Sequence, residues 1–432
     1  MGRTDDKARA ALRGDEHVLD KLASSLIRVE RDNLVERPWG GGWIERFKQI
    51  EAAQARRDSP WGEAFEISAF AADEEAGRYP SRLRFDDGSL IDLPALLEAQ
   101  AGKLLGPAFT ARYGSAFPLL PKTLNIKELL SVQGHPPGHT EVYIIIDAEP
   151  GATLRLGFNR DIDPVVFTRE LLGGMQHQDR LLELLGSETD AQAVHRIVAP
   201  WLAQRDTDAD VIIGSLQACA TPASPDLTEA VSVLKELKEL YWQVLDSMNA
   251  IAVEPGQIIH NATPQRLLAA GLAEASAEVH ALGNPDRREI LALEIRRPGP
   301  TFRAWDNVRF PKREVDVTAA VEALNLRATS PEEFVVERRP VPGREGVFVS
   351  VASDYFCVEH LMPDRTLAVN VPASPPHSLH CLAGAVDISD TSGRLIGHLE
   401  RGESALVPVG VGAYVVESTE AAEVVRVTLP ER

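Results

Sequence analysis

Gln133, His135 and Glu141 place an amide, an imidazole and a carboxylate within one short stretch, SVQGHPPGHTEVYIIID at 131–147. On an extended strand, residues two apart project from the same face, so Gln133 and His135 can share one ion. Two prolines and a glycine then turn the chain toward a second strand, where Glu141, Tyr143 and Ile145 share a face. A hairpin is therefore expected to bring the three polar groups together. Such a set suits a borderline or moderately hard divalent ion, because imidazole favours zinc and its neighbours while amide and carboxylate oxygens widen the range. Isolated histidines are more often structural than ligating, so the combination, not His135 alone, carries this reading. Further along, Glu294 in EILALEI alternates with Ile290 and Ala292 and leaves the face opposite Leu293 and Ile295. If that face lines a cavity, Glu294 is a candidate acid or base; otherwise it is a solvated charge.

The elements that must position these residues follow from pattern. Residues 1–33 alternate in charge and read as an N-terminal helical extension of one or two amphipathic helices. From 34 to 163, short apolar stretches punctuated by Gly, Pro and Asp read as mostly strand, with brief helices near 92–105 and 106–113. The segment 164–249 reads as a helical insertion. Its clearest helix begins near 224, where Ser224 and Pro225 supply a cap and a first-turn proline, and Leu227, Ala230, Val231, Leu234, Tyr241 and Val244 follow three-and-four spacing. Strand patterns return over 250–325 and dominate 326–432. The expected architecture is mainly β, with 34–163 and 250–325 forming one unit, 164–249 inserted into it, and 326–432 a second all-β unit.

The 432 residues carry a formal charge of −19, which repels nucleic-acid phosphates and demands a locally positive pocket for any anionic substrate. No apolar run is long enough to cross a bilayer and none marks a secretory signal, so neither membrane nor nucleic acid is an expected partner and a cytoplasmic location is expected. Cys219, Cys357 and Cys381 are odd in number and far apart, which fits a reducing compartment. The GGG at 40–42 lacks a following Lys-Ser/Thr and is no nucleotide loop. Trp39, Trp43 and Phe117 read as packing residues, and His377 and His380 as loop and core residues without a metal.

In order along the chain, RPWGG (37–41), GEAFEISAF (62–70), FPLLPKTLNIKELLSVQGHP (117–136), TEVYIIIDAEPGATLRLGF (140–158), VEPGQIIHNATPQRL (253–267), EIRRPGPTFRAWDNVRF (294–310) and PHSLHCLAGAVDIS (376–389) resemble segments of the type I mannose-6-phosphate isomerases, a family of metal-dependent cupins. The resemblance implies two cupin (jelly-roll) β-barrels with an α-helical domain, and one divalent metal, zinc or alternatively manganese or cobalt, in the first barrel. It implies an intramolecular oxidoreductase interconverting mannose 6-phosphate and fructose 6-phosphate, acting as a monomer or homodimer on a phosphorylated hexose. Gln133, His135 and Glu141 match three of the family's metal ligands. Lys122, Arg303 and Lys312 match its basic residues near the substrate.

This chain departs from the family at three places. Gln265 follows Thr263-Pro264 where the family has a ligating histidine, His139 stands where it has a lysine, and the run Arg296, Arg297, Pro298, Gly299, Pro300 replaces a polar pair. For the fourth ligand, position favours Gln265 and donor strength favours His260. The proton-transfer base stays open among His139, Glu294, Lys122 and metal-bound water. Arg303, Lys122, Glu294 and His139 are the catalytic candidates, and Arg303, Lys312 and Lys122 the substrate-binding ones. The alternative reading is a catalytically weak sugar-phosphate-binding or regulatory cupin. A metal oxygenase is poorer, because a facial triad wants two histidines and a carboxylate.

Overall fold

Alternation in the strand Glu141–Ala148 sends Tyr143 and Ile145 to one side of a sheet and Val142 and Ile144 to the other, and all four are buried. A strand buried on both faces must lie between two further layers. That is the arrangement in the computed structural model, which describes residues 6–50, 60–186, 188–220, 227–272 and 274–430. The strand is the third of a seven-stranded sheet whose neighbours run Val335–Val336, Ile258–Asn261, Glu141–Ala148, Ile290–Arg296, Lys122–Ile126, Leu34–Gly41 and Trp61–Phe65. Tyr143, Ile145, Ile259 and Ala292 from one face of it share a core with Leu154, Leu156 and Ile251 of a five-stranded sheet. That second sheet runs Met248–Ala252, Thr153–Phe158, His280–Ala281, Val132–Gly134 and Phe302–Trp305. Val142, Ile144 and Leu293 on the other face pack with Val358, Val425 and Val427 of a C-terminal seven-stranded sheet. A four-stranded sheet of the C-terminal region packs on the far side of that sheet through Leu379, Val386, Ile388 and Val416.

Four helices, Pro164–Leu185, Ala191–Leu202, Asp210–Cys219 and Leu227–Asp246, sit between Phe158 and Met248, two residues that are themselves paired in the five-stranded sheet. Pro164 opens the first of them and Asp163 accepts hydrogen bonds from the amides of Val165 and Val166, a proline-and-cap start. Ala230, Leu234, Tyr241 and Val244 of the last are buried, as the three-and-four spacing requires. Ser224, Pro225 and the side chain of Leu227 lie outside the described residues. The helices bind to the sheet through Trp305, which packs against Gly174 and Tyr241.

Several expectations are corrected. The chain is not mainly β: helix and strand occur in comparable shares. The described strands form several antiparallel sheets and close no barrel. The N-terminal residues are not only helical, since Ile27–Arg28 pairs with Leu406 and Ala405 of the C-terminal sheet. His377 is not a loop residue. It opens the strand His377–Ala383, buried and 2.8 Å from the Tyr414 hydroxyl. Among the described residues no helix is long and apolar enough to cross a membrane.

Candidate metal centre

Gln133 and Glu141 do not form a hairpin. Val132–Gly134 belongs to the five-stranded sheet and Glu141–Ala148 to the seven-stranded one, so the proline turn carries the chain from one layer to the other. The three polar residues then meet across the gap between the layers. On the five-stranded side, Gln133 stands opposite His280 on one neighbouring strand and Arg303 on the other. On the seven-stranded side, Glu141 stands opposite Asn261 and Arg296. Residues directly opposite on antiparallel strands share a face.

The result is a buried group in which one ligand atom each from His135, Glu141 and His280 lies within 4.8 Å of the others. His135 Nε2 is 2.9 Å from Glu141 Oε1, and His280 Nε2 is 3.5 Å from Glu141 Oε2. Each imidazole is oriented by a carbonyl: His135 Nδ1 donates to Pro300 O at 3.0 Å and His280 Nδ1 to Glu278 O at 2.9 Å. A carbonyl only accepts, so Nδ1 carries a proton in both rings and Nε2 is the atom turned toward Glu141. His135 Nε2 approaches the carboxylate without the angle of a hydrogen bond and is buried with no hydrogen-bond partner. Two imidazoles converging on a carboxylate, each backed by a carbonyl, are a donor set that fits a divalent ion. The Gln133 amide lies 3.0 Å from His280 Nε2. Burial would raise the Glu141 pKa, but His135 and His280 override it and hold the carboxyl well below its usual range.

Gln133 also lines a cavity of about 650 Å³, together with Lys122, Glu294, Arg296 and Arg303. Lys122 and Glu294 stand opposite each other, with Tyr143 beyond Glu294 in the same row. Burial, and next the charge of Glu141, pushes the Glu294 carboxyl up to about 8. Burial would lower the Lys122 ammonium, but Glu63 and Glu75 hold it above its ordinary value; Glu75 lies 2.8 Å away. The Arg303 guanidinium is drawn down by burial and by Arg313, and its Nε is buried without a hydrogen bond.

The other sequence candidates fall elsewhere. Gln265 opens the short helix Gln265–Ala269 and is exposed, because the chain has left the sheet after Asn261. His260 pairs with Val142, one position out of step with Glu141, so its side chain leaves the opposite face. The histidine beside Gln133 is His280, which the sequence reading missed. Its signal was faint: a lone imidazole in the short apolar stretch Val279–Leu282. His139 packs against Gly299, does not line the cavity, and is drawn down to about 4 by burial. Lys312 forms an ion pair with Asp179 at 2.6 Å, away from the cavity.

Facing antiparallel sheets with a buried two-histidine, one-glutamate group between them and a helical block beside them define the structural class. Solved structures with a similar fold include mannose 6-phosphate isomerases. The enzyme from Bacillus subtilis matches at TM-score 0.59 and 16% identity, over 94% of this chain and 100% of that one. A mannose 6-phosphate isomerase bound with zinc and yttrium matches at 0.57 and 15%, over 94% and 99%. A single-site variant of phosphomannose isomerase from Salmonella typhimurium matches at 0.58 and 16%, over the same shares. A scan of protein-family models and a search of curated proteins gave no match.

Proposed function

We propose that the protein is a metal-dependent aldose–ketose isomerase interconverting mannose 6-phosphate and fructose 6-phosphate. The observation that carries this reading is the junction of the two sites at Gln133: a buried His135–Glu141–His280 group behind it and a cavity with ample room for a hexose phosphate in front. His135, Glu141 and His280 would hold the ion, and Gln133, with its amide turned about, offers an oxygen beside them. Bound there, a divalent ion supplies electrophilic stabilisation of oxyanion charge on the sugar's O1 and O2.

The remaining work falls to side chains of the cavity. Moving a proton between C2 and C1 needs a group whose pKa lies near the working pH. Glu294, pushed up to about 8 by burial, is mostly protonated at neutral pH but ionises at little cost; its carboxylate takes the proton from C2 and the resulting carboxylic acid returns it to C1. It is preferred over His139, which does not line the cavity. Lys122, opposite Glu294 in register, steadies the charge that appears when Glu294 ionises. Arg303 has an unpaired Nε and grips an oxyanion with a planar fork, which suits a phosphate. The bulk charge of −19 makes such a cationic wall necessary. By this placement Lys312, paired to Asp179, takes no part.

The experiment is coupled-assay turnover of several hexose 6-phosphates after chelation and re-addition of zinc, manganese or cobalt. Turnover restored by one of these ions is expected. A folded protein that binds the sugar phosphates yet turns none over with any ion would sink the enzyme reading and leave a sugar-phosphate-binding protein.

A further inference from the structure

We infer that Arg296 sets the metal affinity of the His135–Glu141–His280 group, its fixed positive charge opposing a divalent ion there and balancing Glu141 when the ion is away. The inference rests on reading that group as a metal centre. Arg296 and Glu141 are directly opposite on neighbouring strands, which forces both side chains onto one face. Arg296 Nη1 lies 3.6 Å from Glu141 Oε1, and the arginine is buried.

Glu141 is not what holds the guanidinium in place. Its Nη2 donates to Gly299 O at 2.7 Å, its Nε to Arg297 O at 3.2 Å and its Nη1 to Thr301 Oγ1 at 3.5 Å. The turn after the strand anchors it, so it stays beside the carboxylate when an ion arrives. An arginine cannot shed its proton to relieve the conflict. Two cations then compete for one carboxylate in an interior where water screens little. The same turn presents Pro300 O to His135. Replacing Arg296 therefore has two separable effects: loss of charge, which favours the ion, and loosening of the turn, which disfavours it.

Chelator-stripped wild type, Arg296→Gln, Arg296→Met and Arg296→Lys are titrated with zinc against a chromophoric chelator, with no sugar present. The two uncharged variants are expected to bind zinc at least tenfold more tightly than wild type, about 1.4 kcal/mol. The lysine variant, which keeps the charge and loses the fork, is expected to bind no more tightly than wild type. Arg296→Met keeps an apolar stem in the place of the arginine's own, which guards against loss of fold in the glutamine variant. Stripped uncharged variants should also melt lower than wild type and recover more on adding zinc, because buried Glu141 then keeps its hydrogen bonds from the Tyr143 hydroxyl and the Asn261 amide but loses the fixed positive charge of Arg296 until the ion binds. Zinc binding by wild type that is lost in His135→Ala supports the metal centre itself, independently of Arg296. With that control in hand, uncharged variants that bind zinc no better than wild type, or that both fail to fold, make Arg296 a structural brace and overturn the inference. Zinc binding by none of the proteins overturns the metal reading and this inference together.

Discussion

Glu141 is read by several neighbours at once, and the place of each in the sheets decides what it contributes. Asn261 and Arg296 face it from adjacent strands of its own sheet, while His280 reaches it from the sheet opposite. This geometry separates His280 from Gln265, which is exposed on a helix past the end of its strand. His280→Ala should therefore strip the protein of zinc on passage over a chelating resin, while Gln265→Ala should retain as much as wild type, both read by elemental analysis. Loss in the Gln265 variant alone would reverse the assignment. Glu294 gives a second expectation. Its folded pKa, near 8, lies above the ordinary carboxyl value of about 4.3, so the folded protein holds a proton that the unfolded chain releases between those values. Stability tied to this group is complete below about pH 4 and declines as pH rises toward 8. In Glu294→Gln that decline should flatten, so the melting temperature of the variant relative to wild type should rise between pH 5 and pH 8. A constant difference across that range would show that Glu294 is ionised in the fold.

At the scale of elements, strand and helix positions were largely legible because period-2 and period-3.6 patterns are local. The helices at Leu93–Leu104, Pro107–Tyr113 and Leu227–Asp246 lie where composition and spacing put them. What local pattern cannot carry is which strand pairs with which. The stretch 131–147 has the look of a hairpin, yet its two strands belong to different sheets, because a Pro-Pro-Gly turn serves equally to cross between layers. Gln133, His135 and Glu141 were found by residue type and spacing, and they converge, but across a sandwich and not along a ribbon. His280 escaped because its partners are distant in sequence and nothing near it marks a ligand. The proposed unit of 34–163 and 250–325 bears on the same question. Thr153–Phe158 and Met248–Ala252 pair directly at the two mouths of the helical block, and His280 sits beyond it. Limited proteolysis within the helices should leave the two fragments associated through gel filtration under native conditions. Release of 1–160 as a separately folded piece would contradict a unit built from both sides of the insertion.

Across the whole molecule, the site-bearing sheets and the C-terminal sheet are tied by one buried carboxylate. Glu66 accepts two hydrogen bonds from Lys48 Nζ, at 2.8 and 2.7 Å, one from Thr123 Oγ1 in the site-bearing seven-stranded sheet, and one at 2.8 Å from Ser404 Oγ in the C-terminal sheet. Both charged side chains are 3% exposed, so neither has water to fall back on. Desolvation makes such a pair a modest net contributor, but removing one partner strands the other charge in the interior and typically costs about 3–5 kcal/mol. Burial would raise the Glu66 pKa; the Lys48 ammonium outweighs it and holds the carboxyl below its ordinary value. The sign follows: the stabilisation is present above the unfolded carboxyl pKa, about 4.3, and is lost as pH falls through the lower folded value. Glu66→Ala should therefore lower the urea midpoint markedly at pH 7, and the gap to wild type should narrow as pH falls below 4. Lys48→Met combined with Glu66→Leu, which removes both charges, should recover most of the loss, since no ion is then left unpaired. A Glu66→Ala midpoint equal to wild type at pH 7 would mean that Lys48 finds solvent or another partner, and that the sheets are held together by the apolar contacts of Val142, Ile144 and Leu293 with Val358, Val425 and Val427 alone.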